Sequence, residues 1–193
     1  MTFALGLRSI LRHDPDKILV GEIRDAETAQ IAIQSALTGH LVFTTVHANN
    51  VFDVVGRFTQ FSIDAYTFAS AINGIVAQRL LRKVCTHCTD VATAPVDLPT
   101  EQDRQQMTRS GEHRWLKAIG CEHCRGTGYS GRFALGEILE MTPTMKGMIA
   151  ARAPLMLLQG EAQKSGWVAL RTLALNAASQ GMTTIEEVNR VAS

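Results

Sequence analysis

The sequence predicts an α/β fold with parallel strands, and two apolar segments separated by a helical pattern are the evidence for it. Residues 18–20 read Ile-Leu-Val, and residues 41–46 read Leu-Val-Phe-Thr-Thr-Val. Short runs of this kind are typical of strands that are buried on both faces of a parallel sheet. A strand, a helix and a second strand in succession indicate a crossover unit, whose two strands lie parallel.

The helix between these strands is indicated by both of its ends and by one apolar face. Asp25 is a typical N-cap residue, and Gly39 stands where a C-cap glycine is expected. The residues of the apolar face recur at helical spacing: Ala29, Ala32, Ile33, Ala36 and Leu37.

The rest of the chain is assigned from the same kinds of local signal. Thr142 is followed by proline at the first helical position, and Thr183 opens a capping box with Glu186. The other predicted elements are, in order, a helix over residues 2–13, a mostly helical stretch over 51–81, a loop with one short helix over 89–113 and a strand over 132–141.

Composition and charge indicate a soluble globular protein. Of 193 residues, 46% are hydrophobic and 19% are charged, and the formal net charge is +1. This near-neutral balance argues against a surface built for nucleic acid or anionic lipid. No apolar run reaches the roughly 20 residues of a membrane span, and the N-terminus lacks the pattern of a signal peptide. The expected location is the cytoplasm.

The cysteines predict a structural zinc site. All four fall into two pairs with CxxC spacing, Cys85 with Cys88 and Cys121 with Cys124. In a reducing compartment such pairs more often hold a metal than form disulfides, and four thiolates complete a closed tetrahedral Zn²⁺ site. Free thiols or a redox pair are the alternatives. Three histidines could each replace a thiolate: His87, His113 and His123.

An acidic residue follows the first predicted strand, and two histidines flank the second. Glu22 follows the first strand, at the sheet edge where phosphate-hydrolysing enzymes place an acid that holds water on Mg²⁺ or orients the attacking water. His40 and His47 bracket the second strand, and a histidine at its carboxyl end can donate to a phosphate oxygen. Their odd separation places them on opposite faces. Ordinary charged turns and structural histidines are the alternative interpretation.

Arg8 and Arg12 lie one turn apart on the first predicted helix. Two guanidinium groups at this spacing could present a pair of cations to a phosphate across a subunit boundary. A solvated basic face is the alternative.

The order and spacing of these motifs closely resemble the type II secretion and type IV pilus-assembly ATPase family. The resemblance extends over almost the whole chain and is carried by residues 6–16, 20–25, 38–47, 77–80, 131–132 and 181–188. It implies the C-terminal part of a RecA-like P-loop ATPase domain, a small zinc-binding insertion and a helical C-terminal subdomain. The implied boundaries are 1–82 for the ATPase part, 83–130 for the zinc module, and 131–193 for the remaining strand and helices.

The resemblance also implies roles for individual residues. Glu22 lies in the segment that corresponds to Walker B and would act on Mg²⁺ or on its water. His47 corresponds to the sensor of the γ-phosphate, with His40 as its supporting partner. Arg8 and Arg12 correspond to arginines near the nucleotide and the subunit interface.

The function implied by the family is that of an ATP-hydrolysing motor that powers pseudopilus or pilus assembly. Its cofactors would be ATP with Mg²⁺ and a structural Zn²⁺, and its partners would be further copies in a homo-hexamer and platform proteins of the inner membrane. The resemblance thus implies a peripheral membrane position that is reached through partners, and the near-neutral charge gives no reason to expect nucleic acid as a partner. The cysteine pairs are typical of the secretion and pilus-extension branches rather than the retraction branch.

One large departure from the family is the lack of any GxxxxGK[ST] phosphate-binding loop in the sequence. We therefore expect the chain alone neither to bind ATP tightly nor to hydrolyse it. An alternative is a stand-alone zinc-stabilised protein-interaction module derived from such an ATPase. A zinc-containing nucleic-acid binder is disfavoured because the basic residues are scattered and Trp115 and Trp167 are not interleaved with a basic cluster.

Overall fold

The computed structural model describes residues 3–91, 101 and 114–192, so most of the loop and short helix predicted over 89–113 lie outside the described residues. The chain divides into two compact units, each built from two stretches. The first unit comprises Met1–Ala77 with Ile138–Trp167, and the second comprises Gln78–Glu137 with Val168–Ser193. The division into three consecutive segments at residues 82 and 130 stays a prediction beside these two units.

The described residues form helices and strands of at most twelve residues each. In chain order these are α1 (Phe3–Ile10), a 3-10 turn (Leu11–His13), β1 (Lys17–Val20), α2 (Ala26–Leu37), β2 (Leu41–Thr44), α3 (Asp53–Gln60), α4 (Ala65–Ala71), β3 (Gly74–Val84), β4 (Thr89–Val91), β5 (Leu116–Ala118), a second 3-10 turn (Glu122–Cys124), β6 (Tyr129–Glu140), α5 (Pro143–Ala150), α6 (Leu155–Lys164), α7 (Leu170–Ser179) and α8 (Ile185–Val191). Among them, no helix is both long and apolar enough to cross a membrane.

The predicted crossover unit is present: β1 and β2 pair in parallel, and α2 connects them. The Asp25 side chain accepts a hydrogen bond from the backbone N–H of Thr28 and so caps α2, as its position predicts. Gly39, just past the end of α2, has a φ of +106°, a conformation that favours glycine. The α/β class with parallel strands is therefore confirmed.

Burial of these strands on both faces is a prediction that is wrong. Ile18 and Val20 lie in the core of the first unit, at 3% and 2% exposure. On the other face, Leu19 and Phe43 are register partners with 78% and 53% of their surfaces exposed. No described element covers that face, so the apolar side chains that point to it stay in contact with solvent.

The first unit has a core of buried aliphatic and aromatic side chains contributed by its helices and by the inner face of β1. Within it, Phe58 on α3 and Phe68 on α4 are in contact, with ring centroids 5.0 Å apart. The helical prediction over 51–81 is right for α3 and α4 but wrong from residue 74 onward, where β3 begins. Pairing with β6 stabilises this segment as a strand, which local pattern alone does not reveal.

The second unit has its own core, formed mainly by α7 and α8. Its buried members are Leu81, Trp115, Ala174, Leu175, Ala178, Val188 and Ala192. β4 and β5 form an antiparallel pair in this unit. The predicted strand over 132–141 is present as β6, which begins three residues earlier.

The predicted capping box of α8 is displaced by one residue. Thr184, not Thr183, is the N-cap and accepts a hydrogen bond from the backbone N–H of Glu187 at 3.3 Å. The Thr183 hydroxyl donates instead to the carbonyl oxygen of Arg82 at 2.8 Å. A contact that is distant in sequence therefore decides which of the two adjacent threonines caps the helix.

Candidate functional site

The carboxyl ends of β1 and β2 are fastened to each other by hydrogen bonds between the loops that follow them. The Thr45 hydroxyl donates to the carbonyl oxygen of Gly21 at 2.7 Å, and the N–H of Ile23 donates to the carbonyl oxygen of Thr45 at 2.9 Å. The Ile23 side chain is buried, at 2% exposure. These contacts fix the backbone on both sides of Glu22, so the position of its side chain is set by the sheet edge.

Glu22 and His47, which the sequence analysis places after neighbouring strands, lie together at this edge. One carboxylate oxygen of Glu22 is 3.6 Å from Nε2 of His47, and the other is 2.5 Å from Nη2 of Arg24. The Glu22 side chain is 32% exposed, whereas those of Arg24 and His47 are mostly exposed. An acid, an imidazole and a guanidinium therefore converge at one accessible point.

Arg24 is a site residue that the sequence analysis did not single out. The signal was its position two residues after Glu22, since residues i and i+2 of an extended segment share a face. Its hydrogen bond to Glu22, reinforced by the negative charge of that carboxylate, raises the pKa of the Arg24 guanidinium. Arg24 is therefore held in its charged form beside the acid.

His40 lies at the opposite end of β2 from His47, where α2 ends. Its Nδ1 is 3.0 Å from the carbonyl oxygen of Ser35 and 3.3 Å from the hydroxyl oxygen of Thr38. A carbonyl can only accept, so Nδ1 carries the proton in that contact. The imidazole of His40 thus links the C-terminal end of α2 to the start of β2.

The structure places the two predicted arginines on the surface of the first unit. Arg8 on α1 forms an ion pair with Glu27 on α2, with Nη2 3.0 Å from Oε1 and both side chains more than half exposed. Arg12 lies exposed in the 3-10 turn that follows α1. The contact of Arg8 is therefore with α2, and it joins two helices.

The four cysteines of the predicted metal site come together in the second unit. Their Sγ atoms all lie within 4.8 Å of one another, and none of the four is in a disulfide. The shorter separations are 3.7 Å between Cys88 and Cys124 and 3.8 Å between Cys121 and Cys124. Zn–S bonds of about 2.3 Å at tetrahedral angles require sulfur atoms about 3.8 Å apart. The residues therefore fit a four-sulfur zinc site.

Hydrogen bonds to the sulfur of Cys124 favour its thiolate form, which is the form that a metal needs. The N–H groups of Cys121 and Gly128 each lie 3.1 Å from Sγ of Cys124. Burial opposes ionisation of this thiol, but these bonds prevail and lower its pKa to about 6. Burial, together with the neighbouring thiols, raises the pKa of Cys88 to about 12. Four thiolates at this spacing require a cation, which Zn²⁺ would supply.

The nearby histidines do not join the sulfur cluster. The rings of His87 and His123 stack on each other, with centroids 4.1 Å apart and planes 22° from parallel. Neither ring belongs to the group of converging ligand atoms, which the described residues supply from cysteines alone. His113 lies outside the described residues.

Comparison with known proteins places this arrangement in a family. Residues 1–190 match the family described as "Type II/IV secretion system protein". The chain is 39% identical to the type IV pilus assembly ATPase PilB of Pseudomonas aeruginosa, over 99% of this chain and 33% of that protein. It is 38% identical to the type II secretion system ATPase E of Vibrio cholerae, over 99% of this chain and 37% of that protein. The chain thus spans about a third of the length of these relatives.

Solved structures agree on the fold. The pilus retraction motor PilT with bound ADP superposes with a TM-score of 0.66 at 24% identity, over 99% of this chain and 43% of that one. The ATPase DotB of Legionella pneumophila superposes with a TM-score of 0.63 at 20% identity, over 98% of this chain and 42% of that one. The family match over residues 1–190 establishes that the chain belongs to the type II/IV secretion system proteins.

Proposed function

We propose that the chain works as part of an ATP-hydrolysing motor that drives pilus or pseudopilus assembly. The observation that carries this proposal is the convergence of Glu22 and His47 at the carboxyl edge of the parallel pair, with 3.6 Å between carboxylate and imidazole. Ligands of parallel sheets bind at this edge. The relatives named as pilus assembly and secretion ATPases support the same class of function.

Each residue at the edge has a chemical task in the proposal. The Glu22 carboxylate would hold Mg²⁺ or its bound water, or orient the attacking water, because a fixed anion near the γ-phosphate suits these tasks. His47, mostly exposed, would donate a hydrogen bond to a γ-phosphate oxygen. Mg²⁺ supplies charge neutralisation to the phosphates when it is bound. Arg8 and Arg12 would lie toward a neighbouring subunit, and His40 would keep β2 aligned with α2.

The test of this proposal uses ATP hydrolysis by the complete translated reading frame that contains this chain. Glu22→Gln is expected to lower kcat by at least about 100-fold, as is usual for loss of a group that handles the reacting water. Glu140→Gln is the matched control, because it makes the same change at an exposed acid of the same unit that has no role in the proposal. Full turnover by the Glu22 variant would contradict the proposal.

The 193-residue chain by itself is proposed to be inactive, since it contains no GxxxxGK[ST] motif to bind phosphates. ATP turnover by the purified chain that disappears in Glu22→Gln would refute this. Determining the coding sequence upstream of Met1 distinguishes the motor from the alternative function, which is that of a protein-interaction module. An in-frame phosphate-binding loop favours the motor, and a stop codon favours an interaction module stabilised by zinc.

The cysteine cluster is proposed to hold a structural Zn²⁺. Four sulfur ligands leave no open position for water, so the metal would stabilise the fold and take no part in hydrolysis. One equivalent of zinc per chain, lost on replacement of any of the four cysteines, is the expected result of metal analysis. We also propose that the chain divides functionally at residues 82 and 130, into an ATPase part, a zinc module and a C-terminal part.

The proposed assembly is a homo-hexamer that acts at the inner membrane through platform proteins, from the cytoplasmic side and without nucleic acid. Its support is the class of the relatives, since motors of pilus assembly and secretion must transmit movement to an apparatus in the membrane. Sedimentation of the complete protein with a non-hydrolysable nucleotide is the direct test of the six-subunit state.

A further inference from the structure

The metal-binding segments are extensions of two paired strands. β3 ends at Val84, directly before Cys85, and β6 begins at Tyr129, shortly after Cys124. Gly128 joins the two sides of the site: its N–H donates to Sγ of Cys124 at 3.1 Å, and its carbonyl oxygen accepts from the N–H of Cys85 at 2.9 Å. The convergence of the sulfur atoms therefore depends on how the end of β3 lies against the start of β6.

The end of β3 forms hydrogen bonds with the turn between α7 and α8 and with the start of α8. The N–H of Val84 donates to the carbonyl oxygen of Met182 at 3.2 Å. The carbonyl oxygen of Arg82 accepts from the Thr183 hydroxyl at 2.8 Å, and the N–H of Arg82 donates to Oε1 of Glu187 at 3.0 Å. Hydrogen bonds from the C-terminal region therefore reach two of the three residues immediately before the first ligand.

Glu187 is the centre of these contacts. It is fully buried, and its carboxylate accepts three N–H bonds from Arg82 and two from Arg190, at 2.6–3.0 Å. Removing an arginine partner of this buried carboxylate is costly, because it leaves uncompensated negative charge in the interior. The carboxylate thus fixes both the backbone and the side chain of Arg82.

The start of β6 contacts the same residues, through the side chain of Tyr129. The guanidinium of Arg82 lies over the ring of Tyr129, 4.0 Å from its centroid. The hydroxyl of Tyr129 forms a 2.7 Å hydrogen bond with that of Thr184, the N-cap of α8. Both strand ends that carry the cysteines are therefore attached to the first turn of α8. We call the four residues that make these contacts the C-terminal clamp: Thr183, Thr184, Glu187 and Arg190.

From these contacts we infer that Glu187 and Arg82 are positioning residues of the metal site. The C-terminal clamp sets the separation of the two cysteine pairs without touching the metal, so zinc affinity and the docking of α8 are coupled. Coupling of this kind is reciprocal: the clamp strengthens zinc binding, and zinc protects α8 from opening. The inference rests on the proposed zinc site.

The first experiment compares zinc affinity among variants of the full chain, by competition with a chromophoric chelator and by the absorption of tetrahedral Co²⁺ thiolate. Glu187→Gln is expected to weaken binding about 10–100-fold, the range usual for residues that support metal ligands. Tyr129→Phe, which keeps the ring over Arg82 and loses one hydrogen bond, is expected to weaken it less. Glu186→Gln is the control, since that exposed acid of α8 lies next to the clamp.

The second experiment measures hydrogen exchange of α8 amides in the unaltered chain, with and without zinc. Slower exchange with zinc supports the inference, and it decides the matter even if Glu187→Gln does not fold. Equal exchange, or unchanged affinity in Tyr129→Phe and Glu187→Gln, would overturn it. A chain that binds no zinc at all would instead refute the zinc site itself, a result that the wild-type titration reports separately.

Discussion

Glu187 and Arg82, 105 residues apart in the chain, form an ion pair in which one buried carboxylate binds both the backbone N–H and the guanidinium of the same arginine. Burial would raise the pKa of Glu187, but the hydrogen bonds from Arg190 and Arg82 lower it to about 2, from an ordinary value of 4.5. The folded state therefore binds this proton much less readily than the unfolded state does.

The first prediction is a loss of stability in acid that Glu187 causes. Because its folded pKa lies below its unfolded pKa, the contribution is complete above about pH 4.5 and is lost as the pH falls toward 2. The shift corresponds to about 3 kcal/mol of unfolding free energy. Urea unfolding of the metal-free chain between pH 6 and pH 2 measures it. The curves of wild type and Glu187→Gln should converge with acid, whereas Glu186→Gln should follow wild type; parallel curves would contradict the prediction.

The second prediction concerns Gly128, which has a φ of +75° and whose added Cβ would lie 2.6 Å from Cβ of Ala118. Gly126 is its matched control, because it has a φ of +77° and open space around the added atom. Each alanine substitution should cost about 1–2 kcal/mol through backbone strain. Gly128→Ala should cost about 1–3 kcal/mol more from the clash, as measured by urea unfolding with zinc. Equal losses of unfolding free energy in the two variants would show that the contact of the added Cβ at residue 128 with Ala118 is relieved at no cost.

The pairing of the cysteines and the crossover unit could be predicted because their signals are local. CxxC spacing brings two thiols together on its own, and Asp25 and Gly39 mark the ends of α2 whatever surrounds them. β3 was missed in part because its partner β6 lies far along the chain. The role of Glu187 was missed because the local pattern makes it one of two adjacent acids of a helix, and only the fold brings Arg82 to it.

The third prediction concerns the uncovered face of the β1–β2 pair. Leu19 and Phe43 lie side by side there and are largely exposed, so this face should bind apolar dyes such as anilinonaphthalene sulfonate. The double substitution Leu19→Thr, Phe43→Thr should lower dye fluorescence at little cost in stability. Ile18→Thr, one residue away but buried, should instead destabilise the chain by about 2 kcal/mol or more. Unchanged dye binding in the double variant would place the site elsewhere.

The fourth prediction is that loss of one zinc ligand unfolds part of the second unit and leaves the first intact. In Cys121→Ser, the amides of β4 and β5 should exchange rapidly, because this antiparallel pair has only three residues in each strand and lies between the two cysteine pairs. Amides of β1 and β2 should keep their protection, since they belong to the first unit with its separate core. Hydrogen exchange with mass spectrometry resolves the two regions.

The control for Cys121→Ser is Thr86→Ser. Thr86 is exposed and lies between Cys85 and Cys88, but it supplies no sulfur to the cluster. The coupling inferred for the C-terminal clamp adds that α8 should lose protection together with β4 and β5, because Gly128 and Tyr129 would no longer be fixed by the metal-bound cysteines. Exchange that accelerates in both units at once would mean that the metal stabilises the whole chain rather than the second unit.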